Sequence, residues 1–148
     1  MTTPFLIGDI SADEGLRLKA YGDPLTGAEP WTCGYGCTGP DIGPETVWSL
    51  EEARQRRDAK LAEVIAELDA HAPWWRSLCD VRQDVLANMA YNLGWPRLAG
   101  FHHALAAIQA HDYATGARQL LESAWARQVK GRARRLAEQM RTGLRVAP

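Results

Sequence analysis

Two hydrophobic rhythms divide the chain. Phe5, Leu6, Ile7 and Ile10 give residues 3–14 the apolar face of a short first helix. Gly15 is placed to end that helix in a left-handed conformation that a Cβ would oppose. Ser11-Ala12-Asp13-Glu14 also matches a capping box, which would start a helix here instead. The residues that follow decide against it: Leu16, Leu18 and Ala20 alternate with Arg17, Lys19 and Tyr21, the period of a strand. Between Gly22 and Gly43 glycine and proline recur too often for any long helix. Short strand pieces at Trp31-Thr32-Cys33 and Tyr35 complete a small twisted sheet of two or three strands.

The helical period then takes over. Ser49-Leu50-Glu51-Glu52 is a capping box that opens a charged helix reaching His71, with Pro73 just beyond. Leu61, Val64, Ile65 and Leu68 form its one apolar stripe. Residues 78–93 carry Leu78, Val81, Val85, Leu86, Met89, Ala90 and Leu93 on a shared face, ended by Gly94, and predict the central helix of the core. Further helices are expected near 101–110, 113–125 and 131–142, with breaks at His111-Asp112, Gly131 and Gly143. The fold class is therefore α+β and mainly helical. A sheet lobe at about 13–48 is joined by a long helix to a helical lobe at about 72–148, which also takes in the N-terminal helix. All 148 residues are read as a single domain.

Charge changes the picture more than composition does. Residues 1–50 hold seven acids and two bases, a net −5, whereas residues 101–148 hold three acids and eight bases, a net +5. A basic end rich in Arg127, Lys130, Arg132, Arg134, Arg135, Arg141 and Arg145 suits an anionic partner such as a wall polymer or membrane surface. A solvated face without a partner is an equal alternative for such a run. No nucleic-acid motif or interleaving of aromatic and basic residues supports a nucleic-acid partner. The start, Met1-Thr2-Thr3-Pro4-Phe5, lacks the basic and apolar regions of a signal peptide. No run approaches the roughly 20 apolar residues of a spanning helix. Cys33, Cys37 and Cys79 are then expected as free thiols made in a reducing cytoplasm. A Cys33–Cys37 bridge, or a zinc site of these cysteines with His102-His103, is the lesser reading, and no metal site is expected.

The candidate chemistry gathers in residues 13–38. A carboxyl at a helix end (Glu14) is followed nine residues later by Asp23 and nine residues beyond that by Thr32. Cleaving a glycosidic bond takes one carboxyl that donates a proton and a second carboxylate across the bond. The alternative for Asp23 is a turn aspartate bonded only to its own backbone. Gly34-Tyr35-Gly36 lacks the lysine and the strand–helix context of a phosphate loop.

The run Glu14-Gly15-Leu16-Arg17-Leu18, then Asp23, then Thr32 before Gly34-Tyr35-Gly36, resembles the phage-type lysozymes, or endolysins, of glycoside hydrolase family 24. Trp125 and Arg132 repeat the Trp-x6-Arg of that family, and Asn88–Gly94 and Ala99-Gly100-Phe101 resemble its cleft-lining segments. The resemblance implies that Glu14 is the catalytic acid, Asp23 the second carboxylate and Thr32 the hydroxyl that positions water. Arg132 would lie beside Glu14, its planar fork suiting a carboxylate. Tyr35, Asn92 and Phe101 would bind substrate or support the site; Tyr91 or Phe101 would pack against sugar faces, with ordinary core packing the plainer reading of those two aromatics. The implied activity is a lysozyme, a peptidoglycan N-acetylmuramidase, needing no cofactor. The implied setting is phage lysis: a monomer accumulates in the host cytoplasm and reaches peptidoglycan glycan strands at lysis. The anionic outer membrane is a further expected partner, through the basic C-terminal segment.

Two departures stand out. The interval from Asp23 to Thr32 is longer than in some members and contains Pro24 and Pro30, and Cys37 replaces a histidine common after the Gly-x-Gly. A lytic transglycosylase or chitinase using Glu14 alone, and a non-catalytic wall- or membrane-binding module, remain open alternatives.

Overall fold

The structure, a computed structural model, describes residues 1–148 as eight α-helices, one 3-10 turn and a two-stranded antiparallel sheet. Helix α1 (Leu6–Glu14) is shorter than its sequence pattern suggests. It buries Leu6, Ile10 and also Asp9, while Phe5 and Ile7 stay exposed at 54% and 39%. Phe5 lies outside the helix, where the Arg145 guanidinium stacks 4.1 Å from its ring. Gly15 ends α1 by donating its N–H to Ser11 O at 3.0 Å. Its φ of 71° with ψ of 167° is positive as expected, yet extended rather than helical. That region is open essentially only to glycine, and it sends the chain straight into a strand.

Strand β1 (Arg17–Tyr21) pairs with β2 (Thr32–Gly34) in the register Arg17↔Gly34 and Tyr21↔Thr32, with an irregularity between these pairs. On the other edge, Ala20 donates to Thr46 O and Trp48 to Leu18 O. A third strand is thereby reduced to an isolated bridge at Lys19↔Val47. Cys33 and Cys37 exchange both backbone hydrogen bonds and close a tight turn over Gly34-Tyr35-Gly36. Their side chains pack with Ala20, Ile42 and Trp48 in a small separate apolar cluster. In that setting cysteine acts as a small hydrophobe. All three cysteines are free thiols, and burial pushes the Cys33 thiol up from its ordinary value.

Ser49 caps α2 (Leu50–His71), its hydroxyl accepting from Glu52 N–H at 3.1 Å. At 22 residues the helix is about 33 Å long and runs from the sheet cluster to the helical core. It contributes Ala53 to the sheet cluster and Leu61, Val64 and Leu68 to the main core. The 3-10 turn Pro73–Ser77, invisible in the hydrophobic pattern, buries Trp75 completely. Trp75 donates its indole N–H to Asp69 at 2.8 Å.

Helix α3 (Asp80–Leu93) begins two residues later than expected and is buried on nearly every side. A helix so enclosed belongs at the centre of a core. Its three buried polar residues mark where its neighbours dock. Gln83 donates to Arg76 O and Leu78 O, Asp84 accepts from Thr3 N–H and hydroxyl, and Asn88 meets α1 and the last helix. Four short helices follow: α4 (Trp95–Ala99), α5 (His102–Gln109), α6 (Tyr113–Leu121) and α7 (Ala124–Val129). The single helix expected over 113–125 is thus two, because Ser123 bonds Ala126 N–H and starts a new one. Helix α8 (Gly131–Thr142) ends at Gly143 in the left-handed conformation. No helix is long and apolar enough to cross a membrane.

Burial raises the Asp84 carboxyl above its ordinary range, against the opposing effect of its two hydrogen bonds from Thr3. The folded state therefore holds this proton more tightly than the unfolded chain. The resulting stability is fully present below the unfolded value near 3.9 and is lost as pH rises through the higher folded value. Asn at this position keeps a carbonyl for Thr3 N–H and cannot ionise. D84N is expected to melt above wild type at pH 7 and level with it near pH 3, by calorimetry; a lower melting temperature at pH 7 would contradict this.

Candidate active site

The end of α1 carries two consecutive acids that α8 answers with two arginines one turn apart. Arg135 forks onto both oxygens of Asp13, with its Nη1 at 2.8 Å from Oδ1. Arg132 Nη1 lies 3.2 Å from Glu14 Oε2, and its Nε and Nη2 both donate to Asn88 Oδ1 at 3.0 and 2.8 Å. Asn88 closes the circuit by donating to Asp13 Oδ2 at 3.0 Å. The four charged side chains are only 5–11% exposed. With little water to screen them, each charge depends on its partners. The network fixes where the Glu14 carboxyl points.

The tight turn of the sheet lobe supplies the other wall of the Glu14 site. Gly36 has a φ of 71°, and a Cβ there would come within 2.9 Å of Glu14 Oε1. The backbone of this turn is gripped from two helices. Tyr91 of α3 donates its hydroxyl to Tyr35 O at 2.6 Å, and Lys60 of α2 donates to Gly36 O at 3.2 Å while lying 4.2 Å above the Tyr91 ring. Burial pushes the Tyr91 phenol up, with the adjacent Cys37 thiol acting in the same direction. Burial lowers the Lys60 ammonium, against the pull of Cys37 and Glu14.

Asp23 and Thr32 lie at the opposite end of the sheet. Thr32 faces Tyr21 across the strands, and Asp23 begins the turn two residues past Tyr21, whereas Glu14 enters beside the Arg17↔Gly34 end. Asp23 Oδ1 accepts from Leu25 N–H at 2.8 Å and from Thr26 N–H at 3.3 Å, the local bonding of a turn aspartate. Its Oδ2 makes no such bond, so one carboxylate oxygen remains for other work. The prolines of the long Asp23–Thr32 interval lie in the exposed turn between the strands.

The remaining candidates separate into support and surface. Tyr35 is buried, holds its carbonyl on Tyr91, and lies under the Arg57 guanidinium at 5.0 Å, so it braces the turn. Asn92 uses its Oδ1 to accept the Trp125 indole N–H at 2.8 Å. Phe101 meets Trp125 edge-on at 6.2 Å and lines a cavity of about 590 Å³ with His102, His103, Gln119 and Gln128. A cavity of about 360 Å³ behind the tight turn is bounded by Cys37, Trp48, Lys60 and Glu63. Glu14, Asp23 and Thr32 line none of these cavities, and all three side chains are partly buried. His102 and His103 sit on α5, outside the sheet cluster that holds Cys33 and Cys37.

Comparison with known proteins bears on this arrangement. The Phage lysozyme family model matches residues 11–141, which takes in the end of α1, the sheet and helices α2 to α8 up to Arg141. The chain belongs to the phage lysozyme family. A curated relative, the pre-baseplate central spike protein Gp5 of Enterobacteria phage T4, is 30% identical over 155 residues, covering 88% of this chain. The chain spans about a quarter of that relative's length, 26%. In this phage lysozyme chain the basic C-terminal run is less available than its sequence suggests. Arg132 and Arg135 are buried on Asp13 and Glu14, Arg145 pairs with Asp9 at 2.8 Å, and Arg141 pairs with Glu138. Three of the eight bases in residues 101–148 are thus paired with acids of α1.

Sequence reasoning gave Asp13, Arg135 and Lys60 no part in the site, and placed Asn88 and Tyr91 only in a cleft-lining segment, not in contact with this network. The signal for Asp13 and Arg135 was present, since acids at 13 and 14 match arginines at 132 and 135, three apart on one helix face. Removing one member of a buried ion pair leaves the other charge uncompensated, a loss of about 3–5 kcal/mol. Asp13→Ala is expected to lower unfolding free energy by that order in urea denaturation with an unchanged slope, and a loss under about 1 kcal/mol would mean that solvent screens the pair.

Proposed function

We propose that this phage lysozyme is a muramidase that hydrolyses the β-1,4 bond between N-acetylmuramic acid and N-acetylglucosamine in peptidoglycan. The observation that carries this reading is Glu14 itself: a largely buried carboxyl fixed by Arg132 at the end of α1, against the Gly36 turn, in a chain of this family. Glu14 donates its proton to the glycosidic oxygen as the bond breaks. Asp23 stays ionised and takes a proton from the attacking water through its free oxygen, and the Thr32 hydroxyl orients that water. The two carboxyls belong to opposite ends of the sheet, which supports the wider spacing, about 6.5–9.5 Å, that admits water and inverts the anomeric carbon. The reaction so written uses no metal or organic cofactor. Asn92 offers its amide N–H groups, and Phe101 an apolar face, to the glycan on the helical side. Electrostatic attraction to the anionic wall or outer membrane rests on the exposed Arg127, Lys130 and Arg134.

Two settings fit this chemistry. In the first, the enzyme accumulates in the host and opens the wall at the end of infection. The second is favoured by the match to a central spike protein: a wall-cleaving module carried on the phage particle. Mass spectrometry of purified particles separates them, since the chain is expected in the particle only in the second setting.

Glu14→Gln is expected to cut peptidoglycan cleavage by about 10²–10⁴-fold with the fold intact. Mass spectrometry of the digest should show free reducing ends. A 1,6-anhydro product would overturn hydrolysis in favour of transglycosylation, and full wall clearing by Glu14→Gln would favour a non-catalytic binding module.

A further inference from the structure

We propose that Lys60 is a positioning residue for Glu14, holding the Gly36 backbone against which the catalytic carboxyl rests. This inference depends on Glu14 being the catalytic acid. Lys60 stands on the helix that joins the two lobes, three residues beyond Arg57, which stacks on Tyr35. Its Nζ donates to Gly36 O at 3.2 Å and sits 4.2 Å from the centre of the Tyr91 ring. The neighbouring carbonyl, Tyr35 O, is taken by the Tyr91 hydroxyl at 2.6 Å. Two successive carbonyls of one tight turn are thus anchored from two different helices, α2 and α3.

The turn needs such anchoring. Its own hydrogen bonds, Cys33 to Cys37 in both directions, close its base but leave the Tyr35 and Gly36 carbonyls unpaired. The Gly36 backbone also passes close beside Glu14: an added Cβ would come within 2.9–3.2 Å of the Glu14 carboxyl atoms, tighter than van der Waals contact. Displacing this backbone by even a fraction of an ångström opens space beside the carboxyl on the side opposite Arg132. Glu14 then has one fixed neighbour instead of two. Proton transfer is sensitive to such loosening, because a displacement of about 1 Å can cost on the order of 10²-fold in rate.

A lysine suits this role for two reasons. Its ammonium reaches the Gly36 carbonyl at the end of a flexible four-carbon stem, and its charge is stabilised by the Tyr91 ring face. The groups facing it are Cys37 and Glu14 from the sheet lobe and α1, Arg132 from α8, and Glu63 on its own helix. Lys60 therefore occupies the space next to both Cys37 and Glu14.

The test compares Lys60→Met and Lys60→Arg with wild type on purified peptidoglycan, using Glu14→Gln as the inactive control. Lys60→Met removes the donor while keeping the stem; kcat is expected to fall by about 10–100-fold with KM little changed. Lys60→Arg keeps a donor and the charge, and its kcat is expected within about threefold of wild type. Hydrogen exchange supplies a readout independent of activity. The Cys37 amide, bonded to Cys33 O, should lose protection in Lys60→Met while amides in the middle of α3 keep theirs. Unchanged kcat and unchanged Cys37 protection in Lys60→Met would overturn the proposal. Equal losses of kcat in both variants, or a rise in KM alone, would also overturn it. Wild-type inactivity on peptidoglycan would instead refute the muramidase reading, and the exchange experiment would still decide whether Lys60 anchors the turn.

Discussion

Two carboxylates and two guanidinium groups are shut away from water where α1 crosses the central helix, and most of the molecule's organisation answers to them. Asp13 and Glu14 cannot be buried unless Arg132 and Arg135 arrive from more than a hundred residues later. The arginines in turn need Asn88, whose carbonyl accepts two N–H groups of one guanidinium and whose amide donates to Asp13. An incomplete version of this cluster would leave a charge in a poorly solvated site. The first helix, the central helix and the last helix are therefore held in one mutual arrangement, and the catalytic candidate is part of that lock.

The same dependence shapes the sheet lobe. Gly15 converts the end of α1 into a strand within one residue, so Glu14 stands at the boundary between lobes. The strand carries the chain away to Asp23 and returns it through Thr32 to Gly36, which packs back against Glu14. A hairpin that begins and ends at the same carboxyl presents Asp23 and Thr32 at its far end. One side of the proposed site is rigid because ion pairs hold it. The other relies on backbone hydrogen bonds and on side chains reaching in from α2 and α3.

Charge asymmetry takes a different meaning once the chain is folded. Five negative charges net in the first third and five positive net in the last third read, along the sequence, as a surface aimed at an anionic partner. Much of that imbalance is instead an internal attraction between chain ends, through Asp9–Arg145 as well as the buried cluster. Exposed cations remain, but fewer than a linear count implies.

Local rules determined much of what could be read in advance. The period of two after Gly15, the Ser49 cap, the stripe on α2 and the glycine stops at 94 and 143 are all short-range preferences, and the elements formed accordingly. The run from Glu14 to Gly36 likewise carried its family signature in order. Packing decided the rest, because burial is not encoded by periodicity alone. Phe5 and Ile7 match a helical face but stay exposed, Phe5 under the Arg145 guanidinium, while Trp75 is swallowed by a 3-10 turn that no apolar rhythm announces. Lys60 looks like one more solvated charge on a charged helix; only the return of the hairpin beneath α2 turns it inward to a carbonyl. Residues far apart in sequence acquire their chemistry from what the fold places beside them, and a linear pattern holds no record of that neighbour.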